Sequence, residues 1–284
     1  MYAFEAKVIE DSTTTLGKRI TTMQLRYPRF IHAEMMTHRV FSRNASSSRA
    51  IPVTKMLEQV RNEPAMPIHW GQNQPGMQAD QELCDQNKRI AQVYWIEAAK
   101  RAADTAQQMN EMGLHKQVAN RILEPFQFIS VVVTATEWEN FFKLRDHTDA
   151  QPEIKYLAQM MKAAMSESIP TVRFHSMFLT ANVESWHLPY VTQKERLDYK
   201  FETTMLAKVS SARCARVSYL THEGKAPDIA KDLDLYDRLV GSEPIHASPT
   251  EHPAEVARQD SADTCYKNFR GWVQHRINVE KAFA

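Results

Sequence analysis

The stretch Phe128–Ala135 (FISVVVTA) constrains this chain of 284 residues more than any other. It is the longest predominantly apolar run, is β-branched at its centre, and is far shorter than the ~20 residues of a membrane-crossing helix. It therefore predicts a buried strand. Residues 3–10 (AFEAKVIE) and 18–27 (KRITTMQLRY) add strands with partial alternation. Most of the remaining pattern is helical. Residues 80–112 are rich in Ala, Gln, Glu and Lys, have no Pro or Gly inside, and predict the longest helix. Pro28 suits the first turn of a helix through RFIHAEMMTHR, which stops in a loop, FSRNASSSRAIP. Further helices are predicted for VTKMLEQVRNE, for LHKQVANRILEPF as far as Pro125, and for TEWENFFKLR with Thr136 as N-cap. PEIKYLAQMMKAAM, residues 201–219 and 226–240, and the closing segment YKNFRGWVQHRINVEKAF complete the helical set. Residues 63–79 hold three prolines and two glycines and predict a long surface loop inside a single domain over 1–284.

Composition removes several functions. The net charge of +1 takes away the general argument for nucleic-acid or membrane-surface binding. There are only seven glycines, and neither GxGxxG nor GxxxxGK[ST] occurs, which excludes Rossmann and P-loop sites. Three cysteines (Cys84, Cys214, Cys265) are too few and too dispersed for a disulfide framework or a CxxC knuckle. The opening MYAFEAKVIE has neither the basic flank nor the apolar core of a signal peptide, so a cytoplasmic protein is expected.

The most unusual segment runs from His38 to Arg49 and packs three arginines, four serines, an Asn and a His behind a helix. Guanidinium forks, hydroxyls and free backbone N–H groups are what a phosphate needs. The same composition also describes a solvated Ser/Arg loop. Arg121 and Arg145 lie at predicted helix ends, where a cation is favoured by the helix dipole whether or not a ligand is present. His246, Glu251 and His252 have some of the content of a metal site but no third ligand cluster, so no metal is expected. Cys214 lies between Arg213 and Arg216, yet a small core thiol on a helix is the simpler reading.

His38-Arg39-x-x-Ser42-x-Asn44-x-x-Ser47-x-Arg49 resembles the RHRxxSxNxxSxRY signature of the flavin-dependent thymidylate synthases. Arg121-Ile-Leu-Glu-Pro125 is similar to the family's Arg-x-x-Leu-Pro element, Asn140-Phe-Phe-Lys-Leu-Arg145 to its NFLxLR helix, and Ala150-Gln-Pro-Glu-Ile154 to its AQxEIR. Two further likenesses fall out of order. Ala215-Arg-Val-Ser-Tyr219 resembles AARVCY, and His246-x-Ser248-x-x-Glu251-His252 resembles HxSxxEH. Both normally precede the RHR segment. Trp272-Val-Gln-His-Arg276 echoes WxRHR a second time, so residues 201–284 are expected to supply elements that are usually N-terminal, by permutation or through a degenerate second copy.

The resemblance implies a mixed α/β fold, helix-rich, with a central, mainly antiparallel sheet flanked by helices, in a homotetramer whose active sites lie between subunits. It implies FAD as cofactor, NADPH and methylenetetrahydrofolate as co-substrates, and a pyrimidine nucleotide, deoxyuridine monophosphate, as acceptor. Ser47 and Arg145 would be catalytic. Glu34, Ser47, Ser48, Arg49, Arg121 and Arg145 would hold the nucleotide, and His38, Arg39, Asn44, Asn140, His246 and Ser248 the flavin. No cysteine would attack the pyrimidine. The chain departs from the family pattern at Thr37 (first Arg of RHR), Ala45 (Glu), Ala50 (Tyr), Glu34 (Gln), and Thr134 and Thr136 (Asn-x-Arg, which meets the flavin's adenosine part). These departures keep two other readings open: a hydroxymethyl transfer without the final hydride, and a non-catalytic nucleotide-binding module.

Overall fold

A computed structural model describes residues 4–174, 182–217, 228–241, 243–258 and 263–282. The chain opens with a hairpin of β1 (Glu5–Thr14) and β2 (Arg19–Pro28). Its turn is closed by the Thr14 hydroxyl, which accepts from the N–H groups of Leu16 and Lys18, while Gly17 takes the left-handed φ of 75° that favours glycine. Pro28 does not start a helix: it is the last residue of β2 and pairs with Phe128. A 3-10 turn follows, and α1 (His32–Met36) is much shorter than the sequence predicts. The Thr37 hydroxyl donates to the Glu34 carbonyl, and the Arg43 guanidinium takes the carbonyls of Met35 and His38, ending the helix from outside.

The predicted Ser/Arg loop is in part a strand. β3 (Ser42–Ala45) pairs antiparallel with the later β4, because ladder bonds outweigh the local turn preference of Ser and Asn. Helices α2 (Val53–Asn62) and α3 (Asp85–Glu111) pack together through Val53, Met56 and Val60 against Ala99, Ala103 and Ala106, whose small side chains permit close approach. Residues 63–79 form no helix or strand, apart from a Gly71–Glu82 bridge, but they are not all surface: Ala65 is fully buried and Ile68 packs against the main core. The helix predicted up to Pro125 survives as α4 (Lys116–Ala119) and then tightens to 3-10 geometry over Asn120–Phe126.

Next comes the expected buried strand, β4 (Phe128–Ala135). Thr136 does not cap the following helix, α5 (Glu139–Arg145), whose N-cap is Trp138; the Thr136 hydroxyl accepts from the Arg270 N–H instead. Trp138 and Phe142 stack on one face, and α6 (Pro152–Glu167) starts at Pro152 as predicted. The rest comprises β5 (Thr171–Arg173), β6 (Trp186–His187), α7 (Gln193–Asp198), α8 (Thr203–Arg216), α9 (Ile229–Val240), β7 (Ala254–Val256), β8 (Cys265–Tyr266), β9 (Phe269–Arg270), β10 (Trp272–Gln274) and α10 (His275–Ala282). Residues 218–219 and 226–227 of the predicted helices, and with them Ser218 and Tyr219, lie outside the described residues. The predicted terminal helix is helical only from His275. Before it, Lys267 and Gly271 at φ 58° and 75° break the helical path and make short strands.

Among the described residues one sheet has the order β3-β4-β2-β1-β5, antiparallel except between β1 and β5, and helices flank it. Alternation gives its two faces different partners. Met23, Leu25, Val131 and Val133 face the apolar core that includes Leu157 and Met161 of α6. Ile20 and Val132 face the C-terminal segment: Ile20 meets Val256 and Trp272, and Val132 meets Cys214. A second sheet, β10-β7-β6, lies in that segment. Among the described residues no helix is long and apolar enough to cross a membrane.

Candidate active site

Asn44, Ser47 and Arg49 line one side of a cavity of about 390 Å³, and Ala215, His246 and Pro249 line another. β3 delivers Asn44, and the turn after it delivers Ser47 and Arg49. That turn is held by the Arg49 N–H donating to Ser47 Oγ at 3.3 Å and the Ala50 N–H donating to the Ser47 carbonyl at 2.9 Å. The opposite wall comes from α8 and from the 3-10 turn at Ser248–Glu251, which packs on β3. The side chains of Arg49 and His246 are exposed and have no hydrogen-bond or ion-pair partner among the described residues, and the same holds for Arg39 and Asn140.

A second group forms around the end of α5. Arg145 Nε donates to His38 Nε2 at 3.0 Å, Nη1 to Glu34 Oε2 at 3.2 Å and Nη2 to Thr37 Oγ1 at 3.2 Å. The His38 ring is packed between Phe41 and Phe141. Burial, then the charges of Arg145 and Arg43, lower its pKa to about 4, so the ring is neutral and accepts from Arg145. Glu34 balances much of the guanidinium charge. Arg43 and Asn44, successive in β3, leave the strand on opposite sides. Arg43 reaches the carbonyls beside the Arg145 group while Asn44 reaches the cavity. Among the described residues no hydrogen bond or ion pair joins the two groups.

Arg121 and Ser48 meet at a residue that sequence reasoning passed over. Glu124 Oε1 accepts from Ser48 Oγ at 3.0 Å and from Arg121 Nη1 at 2.9 Å, and it also pairs with Arg29 at 3.1 Å. Ser48 is buried, and its carbonyl accepts from Asn120 Nδ2 at 2.7 Å. Its hydroxyl is thus occupied by a carboxylate. Gln117 and Leu239, also on the cavity wall, carried no sequence signal. The echo at 272–276 is engaged in packing: Trp272 is fully buried, Gln274 Nε2 donates to Ser42 Oγ at 3.0 Å, and Arg276 pairs with Glu251 and Glu280.

Thr134 is fully buried, with Thr22 Oγ1 at 2.6 Å and His252 Nδ1 at 2.8 Å. Cys214 is fully buried too, and burial pushes its thiol up, which keeps it protonated. Among the described residues no group of three or more His, Cys, Asp or Glu could hold a metal ion.

No curated protein sequence matches the chain. Among the solved structures to which the chain is similar are two of a UMP/dUMP methylase PolB from Streptomyces cacaoi. The one bound with 5-Br dUMP is 16% identical, with 59% of this chain and 91% of that chain covered and a TM-score of 0.47. For the one bound with 5-Br UMP the values are 16%, 59%, 90% and 0.49. The pattern defining the family described as Thymidylate synthase complementing protein matches residues 9–171. More than half of the sequence lies inside that pattern, and the chain belongs to this family.

Proposed function

We propose that the chain is a flavin-dependent transferase that moves a one-carbon unit from methylenetetrahydrofolate to C5 of deoxyuridine monophosphate. The observation that carries this reading is the cavity, in which Asn44, Ser47 and Arg49 meet His246 and Pro249 from the far end of the sequence. Its volume of about 390 Å³ falls within the ~300–1,000 Å³ of small-molecule sites and suits a nucleoside monophosphate. Ser47 and Arg49, whose guanidinium has no partner among the described residues, supply a hydroxyl and a cation for the phosphate, whose charge strengthens both bonds. Arg145 polarises the pyrimidine as charge develops on the ring, and Glu34 and His38 hold its guanidinium in place. Because Arg43 and Asn44 leave β3 on opposite sides, one toward the Arg145 group and the other toward the cavity, the complete site forms between chains, in the homotetramer that the resemblance implies. The C-terminal segment supplies elements that are N-terminal elsewhere in the family, as its turn against β3 supports.

The cavity is too small to enclose FAD. The fit of a flavin rests on exposed polar side chains that have no partner among the described residues, Arg39, Asn140 and His246, which can meet a group held between chains. The chemistry FAD supplies when bound, with NADPH as reductant, is hydride transfer, whereas the protein contributes orientation and charge. One observation favours a second product. Thr134 and Thr136 both spend their hydroxyls inside the protein, on Thr22 and His252 and on Arg270 N–H. The flavin's adenosine part therefore loses two partners, and transfer could end at hydroxymethyl. Incubation with FAD, NADPH, methylenetetrahydrofolate and dUMP tests both: the product's mass separates methyl from hydroxymethyl. A protein that binds dUMP without altering it overturns the proposal and leaves the non-catalytic nucleotide-binding reading, and one that does neither overturns both. The assay is made on purified protein, and fractionation of cells tests the cytoplasmic location.

A further inference from the structure

A line of hydrogen bonds crosses the protein between the sheet and the C-terminal segment. Ser12 Oγ lies 3.0 Å from His187 Nδ1, His187 Nε2 lies 2.8 Å from Thr22 Oγ1, and Thr22 Oγ1 lies 2.6 Å from Thr134 Oγ1. Thr134 Oγ1 lies 2.8 Å from His252 Nδ1, and His252 Nε2 lies 3.2 Å from the Asn44 amide. All six residues are buried, and Asn44 is the one that lines the cavity.

The direction of every bond follows from its cavity end. The end of the Asn44 amide that faces His252 also faces the carbonyls of Arg43 at 3.0 Å and Ser248 at 3.2 Å. Carbonyls only accept, so this end is the nitrogen. His252 Nε2 then accepts, which puts the ring's hydrogen on Nδ1, donating to Thr134. Thr134 in turn donates to Thr22, and Thr22 to His187 Nε2. His187 carries its hydrogen on Nδ1 and donates to Ser12. Each of the four inner members, His252, Thr134, Thr22 and His187, gives one hydrogen along the line and receives one, with no charge. Burial depresses the pKa of both rings, that of His252 to about 3, which keeps them neutral.

We infer that this relay is a positioning device for the cavity: it holds His252 and His187 as Nδ1–H tautomers and fixes the Asn44 amide nitrogen toward His252, so that the amide oxygen is the end left for a ligand N–H or O–H donor. Thr134, His252, Thr22 and His187 are thus positioning residues that act through Asn44. The ligand class, a nucleotide whose imide N–H or ribose hydroxyl donates to Asn44, rests on the proposed function. The tautomers do not.

The test has two arms. Nitrogen NMR of the imidazoles in the ligand-free wild-type protein should show both rings as neutral Nδ1–H tautomers near pH 7. An Nε2–H tautomer, or an imidazolium, at either ring overturns the inference. In the second arm, calorimetry with dUMP should find that Thr134→Val weakens binding about tenfold and alters the His252 tautomer signal, whereas Thr134→Ser stays within about twofold of wild type. A folded Thr134→Val protein that binds dUMP as wild type does also overturns it. Wild-type protein that shows the Nδ1–H tautomers but does not bind dUMP removes the nucleotide reading and leaves the relay standing. If Thr134→Val does not fold, the wild-type spectrum decides alone.

Discussion

The two faces of the five-stranded sheet solve the same problem by different physics. On one face Met23, Leu25, Val131 and Val133 belong to one apolar cluster, and stability comes from removing apolar area from water, at roughly 25 cal/mol per Å². On the other, Ser12, Thr22 and Thr134 are equally dry, and Asn44 nearly so, but they stabilise only while each partner is present, because a broken link leaves a buried polar group unsatisfied. The first face tolerates repacking, and the second specifies orientation. It is the second that reaches the cavity, which suggests that accuracy rather than bulk stability set its composition.

The largest effect should come from the residue beyond the apolar face. Arg145→Ala is expected to abolish turnover at a cost of less than about 1 kcal/mol in stability, because its ion pair with Glu34 is part-exposed. Steady-state kinetics with urea unfolding checks both. Mixing it with Ser47→Ala should restore part of the activity if the two sides of the sheet edge work together only across chains, and no recovery at any ratio would place a whole site in one chain. Phe141→Ala, which removes a fully buried ring between His38, Phe41 and Phe142, should cost about 3–5 kcal/mol by the same unfolding curves.

The polar face predicts a pH dependence. Unfolded, His252 takes a proton near ~6.5, but folded only near about 3. Between these values the unfolded chain holds the extra proton. The ring's contribution to stability is therefore intact above ~6.5 and declines as pH falls toward 3, by about 1.4 kcal/mol per pH unit. His252→Gln should reduce the measured slope of stability against pH by that amount between pH ~6 and ~4; an unchanged slope would mean that the ring is charged or accessible in the fold. The smallest effect is expected at Cys214→Ala, on the polar face but outside the relay. Activity should persist and the melting temperature should shift by only a few degrees, since the change removes a single buried sulfur.

Much of the framework is legible in the residues. The β-branched run at Phe128–Ala135, the Ala-rich pattern of α3 and Pro152 at the start of α6 each carry a local signal strong enough to name the element. The segment containing Asn44, Ser47 and Arg49 stands out by composition and does line the cavity. Where local preference and pairing conflict, pairing wins. Ser42–Ala45 reads as loop but lies against β4, and residues 266–274 read as helix but form short strands, because Lys267 and Gly271 turn the chain back on itself.

Sequence alone determined which residue types were available and roughly which segments would be helix or strand, because propensity and periodicity act over a few neighbours. The tertiary structure decided which face each residue joins, that Glu124 occupies Ser48, and that Thr134 meets His252 at 118 positions' separation. Contacts of that range leave no periodic trace, since their partners are chosen by how whole strands and turns pack together.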